Sequence, residues 1–518
     1  MSFELSEYQK RIKMYFMCHP HNNMAVEALA GTGKSSTILV LTELSKTSDV
    51  YVAFNKSIQT EMKSKITNPK TKCFTMHGLG LSVMNYNLEK MGKKCTLDNY
   101  KVHRYVDLLC KKYEPKTLGN AKRKDWLTAN YSTTYNLLRL KCLDITTDNV
   151  NYLFNEMGLF QPEEDCGIPH SIEEITAWVA EIHNLSQEDF TERQICDFTD
   201  MLYITYNQLR DKKWEVPYWM LYTNIYFDEA QDASRLQLSL LKFFKRSGGR
   251  YVFVYDSHQA IYGFAGGDCR SYQNIFKMFA PLEKFELPIN YRCGSTILDY
   301  TNELFHVGIQ PRPNANEGRI IHILEEDIGK YIKPNDFLIG RINQQLIAIG
   351  FDLVKQGKKI YLEEKEIVTK LLKFIKAQKS LNVETLLEAC KQGLEAPPPE
   401  GQPVNLEEKA NFGVVRDLLI NYRVENESKA INSFINYINE VLNTEDPSGC
   451  IRIMSIHKSK GLEAENVFIL NEAKPFEKLG RSKDMIQQEK NLSYVAITRA
   501  KENLYLVKRV ESSENEDL

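Results

Sequence analysis

Residues 28–35 read ALAGTGKS, and residues 226–232 read YFDEAQD. The first stretch follows an apolar run and opens a helix-like one. A loop of this kind turns backbone N–H groups and a helix N-terminus onto phosphate oxygens. In such a loop Lys34 reaches the β- and γ-phosphates and Ser35 ligates Mg²⁺; Ala28 stands where a first glycine is usual. The second stretch closes an apolar run with Asp228 and Glu229, and Asp232 follows. Carboxylates at a strand end are costly unless they meet water, a metal or a partner. Beside a phosphate loop they form the other half of a nucleotide site. There Asp228 would hold Mg²⁺ directly or through water, and Glu229 would orient and deprotonate the attacking water. The plain alternatives are a chance glycine turn and a solvated strand end.

Both stretches need elements that aim them. Short apolar runs end abruptly in polar or glycine-containing turns at 24–31, 50–55, 224–229, 250–256, 336–341, 450–455 and 466–472. Helix-like segments, among them 35–46 and 487–501, separate many of them. Buried strands alternating with helices predict an α/β protein with parallel sheets. The strands fall into two groups, and two long stretches that look helical interrupt them. The expected organisation is a first α/β domain over 1–85 and 191–280 carrying the ATP site, with a helical insertion at 86–190. A second α/β domain follows over 281–362 and 448–510, with a small insertion at 363–447. The end, 511–518 (ESSENEDL), is acidic and expected to be disordered.

Bulk properties narrow the classes. The chain has 518 residues, 43% hydrophobic and 26% charged, with a net charge of −2. That is too long for one core and ordinary for a soluble protein. No stretch approaches the roughly 20 apolar residues of a membrane span, and MSFELSEYQK lacks the features of a signal peptide. The 11 cysteines contain no C-x-x-C, which argues against zinc or an iron–sulfur cluster and for a reducing cytoplasmic compartment, at the nucleoid or in the nucleus. With so little net charge, any nucleic-acid site must be a local cleft.

The order of motifs resembles that of superfamily 1 DNA helicases of the UvrD/Rep type. FDEAQD resembles the family's second motif, VYDSHQAIYGFAG (254–266) its third, LPINYR (287–292) its fourth, IMSIHKSKGLE (453–463) its fifth and NLSYVAITRAK (491–501) its sixth. YVAFNKSIQTEM (51–62) and FTMHGLG (74–80) resemble its two single-strand-contacting segments, and DFTDML (197–202) a short acidic-aromatic motif.

The resemblance implies two RecA-like parallel-sheet domains of the P-loop NTPase class, each carrying a mainly helical insertion. It also implies site residues. Ala30, Gly31, Thr32, Gly33, Lys34, Ser35 and Ser36 would line the nucleotide. Gln9 would read the adenine edge, Tyr291 stack on the base and Glu463 hold the ribose. Gln259 would sense the γ-phosphate, and Arg292 and Arg499 would act on it as arginine fingers. Splitting the donors between domains would make ATP a clamp that closes on binding and opens on hydrolysis. Phe54, Asn55, Thr75, His77, Tyr262, Phe264 and His457 match the groove that takes single-stranded DNA, where aromatic faces stack on bases regardless of sequence.

The implied activity is ATP- and Mg²⁺-dependent translocation on single-stranded DNA in the 3′→5′ direction, unwinding duplex at single-strand/duplex junctions. The alternative is a single-strand-dependent ATPase that strips proteins from DNA or drives a larger repair, recombination or defence complex. Three departures matter. Ala265 stands where the family often has arginine, Ser36 where several members have an arginine near the base, and the second insertion is short. Base selectivity is therefore open, and a protein partner through that insertion or the acidic tail is a further expectation. The basic run 111–126 (KKYEPKTLGNAKRKDW) reads either as a phosphate-contacting patch or as a solvated helical face.

Overall fold

The computed structural model describes residues 4–115, 120–157, 159–160, 170–263, 271–363, 365–396, 406–425, 428–442, 447–471 and 483–508. The chain divides into two units, residues 1–288 with 476–491 and residues 289–475 with 492–518.

The first unit is built on one parallel sheet of six strands. They are β1 (Asn23–Ala28), β2 (Asp49–Ala53), β3 (Thr71–Thr75), β4 (Tyr222–Phe227), β5 (Lys245–Tyr255) and β6 (Leu282–Leu287), in spatial order β3-β2-β4-β5-β1-β6. Successive residues of a strand point to opposite faces, and both faces here are covered. Ala25, Val50 and Val52 enter one core with Leu79, Val83, Leu236 and Phe244. Val26, Ala28, Tyr51 and Ala53 enter the other with Ile12, Phe16, Ile38 and Leu41. Burial on both sides explains why these strands read as continuous apolar runs. Each fully buried aliphatic side chain contributes roughly 1.5–3 kcal/mol.

The second unit holds another six-stranded parallel sheet. Its strands are β7 (Arg319–Leu324), β8 (Phe337–Gly340), β9 (Ile360–Leu362), β10 (Ile451–Ser455), β11 (Ala464–Leu470) and β12 (Ala500–Lys508), in order β7-β12-β11-β8-β10-β9. The α/β expectation with two parallel sheets holds. Five strands lie outside the seven apolar runs: β3, β6, β7, β9 and β12. In β6, LEKFEL, charged residues alternate with buried Phe285 and Leu287 on the sheet edge. Strand β12 corrects the helix expected to run through 501. The helix Lys483–Ile497 stops before a turn at 498–499, and Leu504, Leu506 and Val507 are buried.

The two helical stretches pack differently. Lys101–Tyr113, Ala121–Lys141, Thr147–Met157 and Ile172–Arg193 enclose a core of their own around Leu109, Trp126, Tyr131, Leu138 and Ile182. Lys365–Ala377, Val383–Glu395, Leu406–Glu425 and Ile431–Leu442 share one core with the second sheet, where Leu371, Leu386, Leu418 and Phe434 join Ile453 and Phe468. Among the described residues no helix is long and apolar enough to cross a membrane.

Candidate functional site

The C-terminal ends of the first sheet's strands carry the candidate site residues, as the parallel topology favours. After β1, Gly31 (φ 68°) and Gly33 (φ 86°) take left-handed backbone, which glycine adopts without steric cost. Thr32 is buried, and its hydroxyl donates to the Leu29 carbonyl at 2.7 Å, bracing the loop. Ala30 is buried as well. Gly33 is the N-cap of the helix Lys34–Leu44, and no side chain caps that first turn. A helix N-terminus of this kind presents N–H groups and a partial positive charge to an anion. Ser35 is exposed and Ser36 half-buried on the first turn.

Gln9 lies against this loop from the helix Glu7–Cys18. Its amide oxygen accepts from Ser6 N–H (3.1 Å) in a capping box, and its amide nitrogen donates to Thr37 Oγ1 (3.0 Å). One acceptor lone pair and one donor hydrogen remain on the amide, enough for a purine edge.

Strand β4 delivers the acids. Asp228 is 3% exposed. Its Oδ1 accepts from the Glu229 N–H (2.9 Å) and its Oδ2 from the Tyr51 hydroxyl on neighbouring β2 (2.7 Å). Burial and the adjacent Glu229 carboxylate push its carboxyl up to about 6, against the pull of Lys34 and the Tyr51 hydroxyl. Glu229 itself sits in left-handed backbone (φ 50°), and its carboxylate lies 2.9 Å from the Lys34 ammonium and accepts from the Gln231 amide. Gln231 also accepts from Asp256 N–H at 3.0 Å, tying the β4 and β5 ends together. Asp256 is fully buried, its carboxyl raised by burial, and it accepts from the Gln259 amide at 2.6 Å. Buried carboxylates beside a lysine and an uncapped helix terminus form the donor set that a phosphate-bound divalent cation completes, so ATP with Mg²⁺ fits these residues.

The aromatic and polar candidates of the first unit stand at neighbouring strand ends. Asn55 and Thr75 cap the helices Lys56–Lys65 and Met76–Lys90, accepting from Ile58 N–H (2.9 Å) and Gly78 N–H (3.1 Å). Phe54 stacks on Tyr262 with centroids 5.1 Å apart. His77 stacks on Phe198 at 3.8 Å, and Phe198 is 51% exposed.

Phe198 explains the DFTDML segment. The acids around it, Asp197 and Asp200, face inward. Arg139 donates to Asp197 Oδ2 (2.8 Å) and Asp200 Oδ1 (2.6 Å), and Lys101 pairs with Asp200. All four are buried. The ion network anchors the first helical insertion and turns the ring between the acids outward. An exposed ring is the residue that sequence reasoning left without a role, and its place between two acids was the available signal. The Tyr51 hydroxyl carried no signal, since a strand tyrosine reads as core.

In the second unit, Arg292 donates to Glu463 and to the Thr498 carbonyl (3.1 Å), while Lys501 sits 3.0 Å from Glu463. Burial alone would raise the Glu463 carboxyl, but Arg292 and Lys501 outweigh it and hold it low. Arg499 is 1% exposed and donates to the Val495 (2.9 Å) and Leu462 (3.2 Å) carbonyls. Tyr291 and His457 are half-buried. Phe264, Ala265 and 511–518 lie outside the described residues. In the basic run, Lys111 and Lys124 pair with Asp107, Lys112 with Glu181 and Arg123 with Glu114. Such pairing favours the solvated helical face over a phosphate patch.

A parallel sheet whose first strand ends in a glycine–lysine–serine loop, with buried acids on the strands beside it, defines a P-loop nucleotide-binding protein. Residues 10–280 match the UvrD/REP helicase N-terminal domain, and residues 319–511 match the UvrD-like helicase C-terminal domain. The chain belongs to the UvrD/REP helicase family. It is 23% identical to F-box DNA helicase protein 1 of Schizosaccharomyces pombe over 95% of this chain and 56% of that protein. It is 27% identical to the ATP-dependent DNA helicase PcrA of Staphylococcus aureus over 28% of this chain and 21% of that protein. Identity to DNA helicase II of Haemophilus influenzae is 25%, over 39% of this chain and 31% of that protein. The chain thus spans about half the length, or less, of these curated relatives.

Proposed function

We propose that this chain is an ATP- and Mg²⁺-dependent DNA helicase or translocase that moves 3′→5′ on single-stranded DNA and unwinds duplex at junctions. The observation that carries this reading is the shared edge of the first sheet. Lys34, Asp228 and Glu229 meet there, and the Phe54–Tyr262 and His77–Phe198 stacks stand at strand ends of the same sheet. Family membership and the names of the relatives support it.

In this reading residues 30–36 cradle the phosphates, with Lys34 on the β/γ-phosphates. Ser35 and Asp228 would hold Mg²⁺, and that ion would supply neutralisation of the developing phosphate charge. Glu229 orients and deprotonates the attacking water. Gln9 reads the base, Tyr291 stacks on it and Glu463 holds the ribose. Gln259, Arg292 and Arg499 answer the γ-phosphate. Phe54, Asn55, Thr75, His77, Tyr262, Phe264 and His457, together with the exposed ring of Phe198, take single-stranded DNA. The protein then works where DNA is, in cytoplasm, nucleoid or nucleus.

The second reading is a motor that strips proteins from DNA or serves a larger complex, with the small insertion or the acidic tail as the partner's contact. The sharing of one core between the second insertion and its sheet favours it, because little of that insertion is left to act as an independent arm. ATP-driven unwinding of two labelled duplexes, one 3′-tailed and one 5′-tailed, with ATPase followed in the same tubes, tests both. Unwinding of the 3′-tailed duplex alone is expected. DNA-stimulated ATPase without unwinding of either moves the choice to the second reading.

A further inference from the structure

We infer that Tyr51 is a positioning residue for the divalent cation: its hydroxyl orients the Asp228 carboxylate toward the metal. The inference rests on the nucleotide-site reading above and adds to it a residue that none of the helicase motifs assigns this task.

Tyr51 lies in β2 and is completely buried. The register pairs Tyr51 with Tyr226 on β4. Asp228, two residues on, therefore shares Tyr51's face as its diagonal neighbour, within reach of a long side chain. The phenol spends its single hydrogen on Asp228 Oδ2 at 2.7 Å, and Glu229 N–H holds Oδ1 at 2.9 Å. Each carboxylate oxygen keeps one further lone pair. Turning the carboxylate would break two hydrogen bonds, one of them fully buried, so its plane is set before any cation arrives. Phenylalanine would fill the same place in the apolar cluster that Tyr51 shares with Val26, Ile38 and Leu41. The hydroxyl is what a purely packing role leaves unexplained, because a buried phenol needs a partner.

Partners of this kind tune metal sites: their loss typically costs 10–100-fold in metal affinity. The test compares wild type, Tyr51→Phe and Asp228→Asn, with Mn²⁺ as the probe and a non-hydrolysable ATP analogue present. Bound Mn²⁺ is read by electron paramagnetic resonance, and analogue affinity in EDTA and the thermal midpoint are read alongside. Tyr51→Phe is expected to weaken Mn²⁺ binding about tenfold or more, with analogue affinity in EDTA at the wild-type value. Wild-type Mn²⁺ affinity in Tyr51→Phe, with binding lost in Asp228→Asn, overturns the inference alone. Wild-type affinity in Asp228→Asn overturns the nucleotide-site reading itself. Should Tyr51→Phe fail to fold, 3-fluorotyrosine at position 51 keeps the hydroxyl. Its fluorine resonance must then move when Mg²⁺ is added to the analogue complex, and an unmoved resonance overturns the inference.

Discussion

The Lys34 ammonium lies 2.9 Å from a Glu229 carboxylate oxygen, so the phosphate-loop lysine and the proposed water-activating acid neutralise each other. In the proposed reading, phosphates would compete for Lys34 and release Glu229 toward water. Lys34→Ala should therefore abolish ATP hydrolysis, while single-stranded DNA affinity stays at the wild-type level because the stacked aromatics stand on other strand ends. Steady-state ATPase and fluorescence anisotropy check it. Parallel loss of both signals a folding defect or a wrong assignment.

Glu229→Gln keeps the shape and the left-handed backbone but removes the base. It should bind ATP normally and slow the chemical step by about 10²–10⁴-fold, the usual worth of a positioned general base. Single-turnover hydrolysis measures this. A wild-type rate would remove Glu229 from the role.

Phe198→Ala should weaken single-stranded DNA binding by about 1–3 kcal/mol, the value of one base–aromatic stack. The loss should be similar for any sequence, since every base has a stacking face. Anisotropy titrations with homopolymeric oligonucleotides give the answer, and an unchanged affinity takes Phe198 out of the DNA-binding set.

Burial holds His77 down at about 4. A base with a lowered folded-state pKa contributes stability that is complete above its unfolded value of about 6.5 and is lost as pH falls toward 4. Denaturant titrations should show His77→Asn lacking a component on the order of 3 kcal/mol of the acid-side fall in stability. The same neutrality means that the salt dependence of DNA binding gains nothing from His77 as pH drops from about 7.5 to 5.5.

Arg139→Met removes the cation that both Asp197 and Asp200 face. Breaking a buried pair from one side costs about 3–5 kcal/mol. Chemical unfolding should register that loss. Because the same acids aim Phe198, single-stranded DNA affinity should fall along with stability.

Much of this was legible from residue type and spacing. A strand before ALAGTGKS and a helix after it were legible, and both are there. The strands buried on both faces announced themselves as apolar runs, because nothing in them has to face water. β6 and β12 did not, since charged residues interrupt their runs and a local reading sees only polarity.

Tertiary structure alone decided the rest. Asp197, Phe198 and Asp200 look like one acidic patch in sequence, yet the fold sends the acids inward to Arg139 and Lys101 and the ring outward beside His77. Tyr51 looks like packing until the register with β4 brings Asp228 to its hydroxyl. The composition of the basic run 111–126 suggests phosphate contacts, but Asp107, Glu114 and Glu181 come back to neutralise four of its cations. The physical reason is common to all three. Residue type and spacing determine which groups can do chemistry and which segments must be buried. Which charge meets which partner depends on contacts between residues distant in the chain, and those exist only once the sheets and helices have packed.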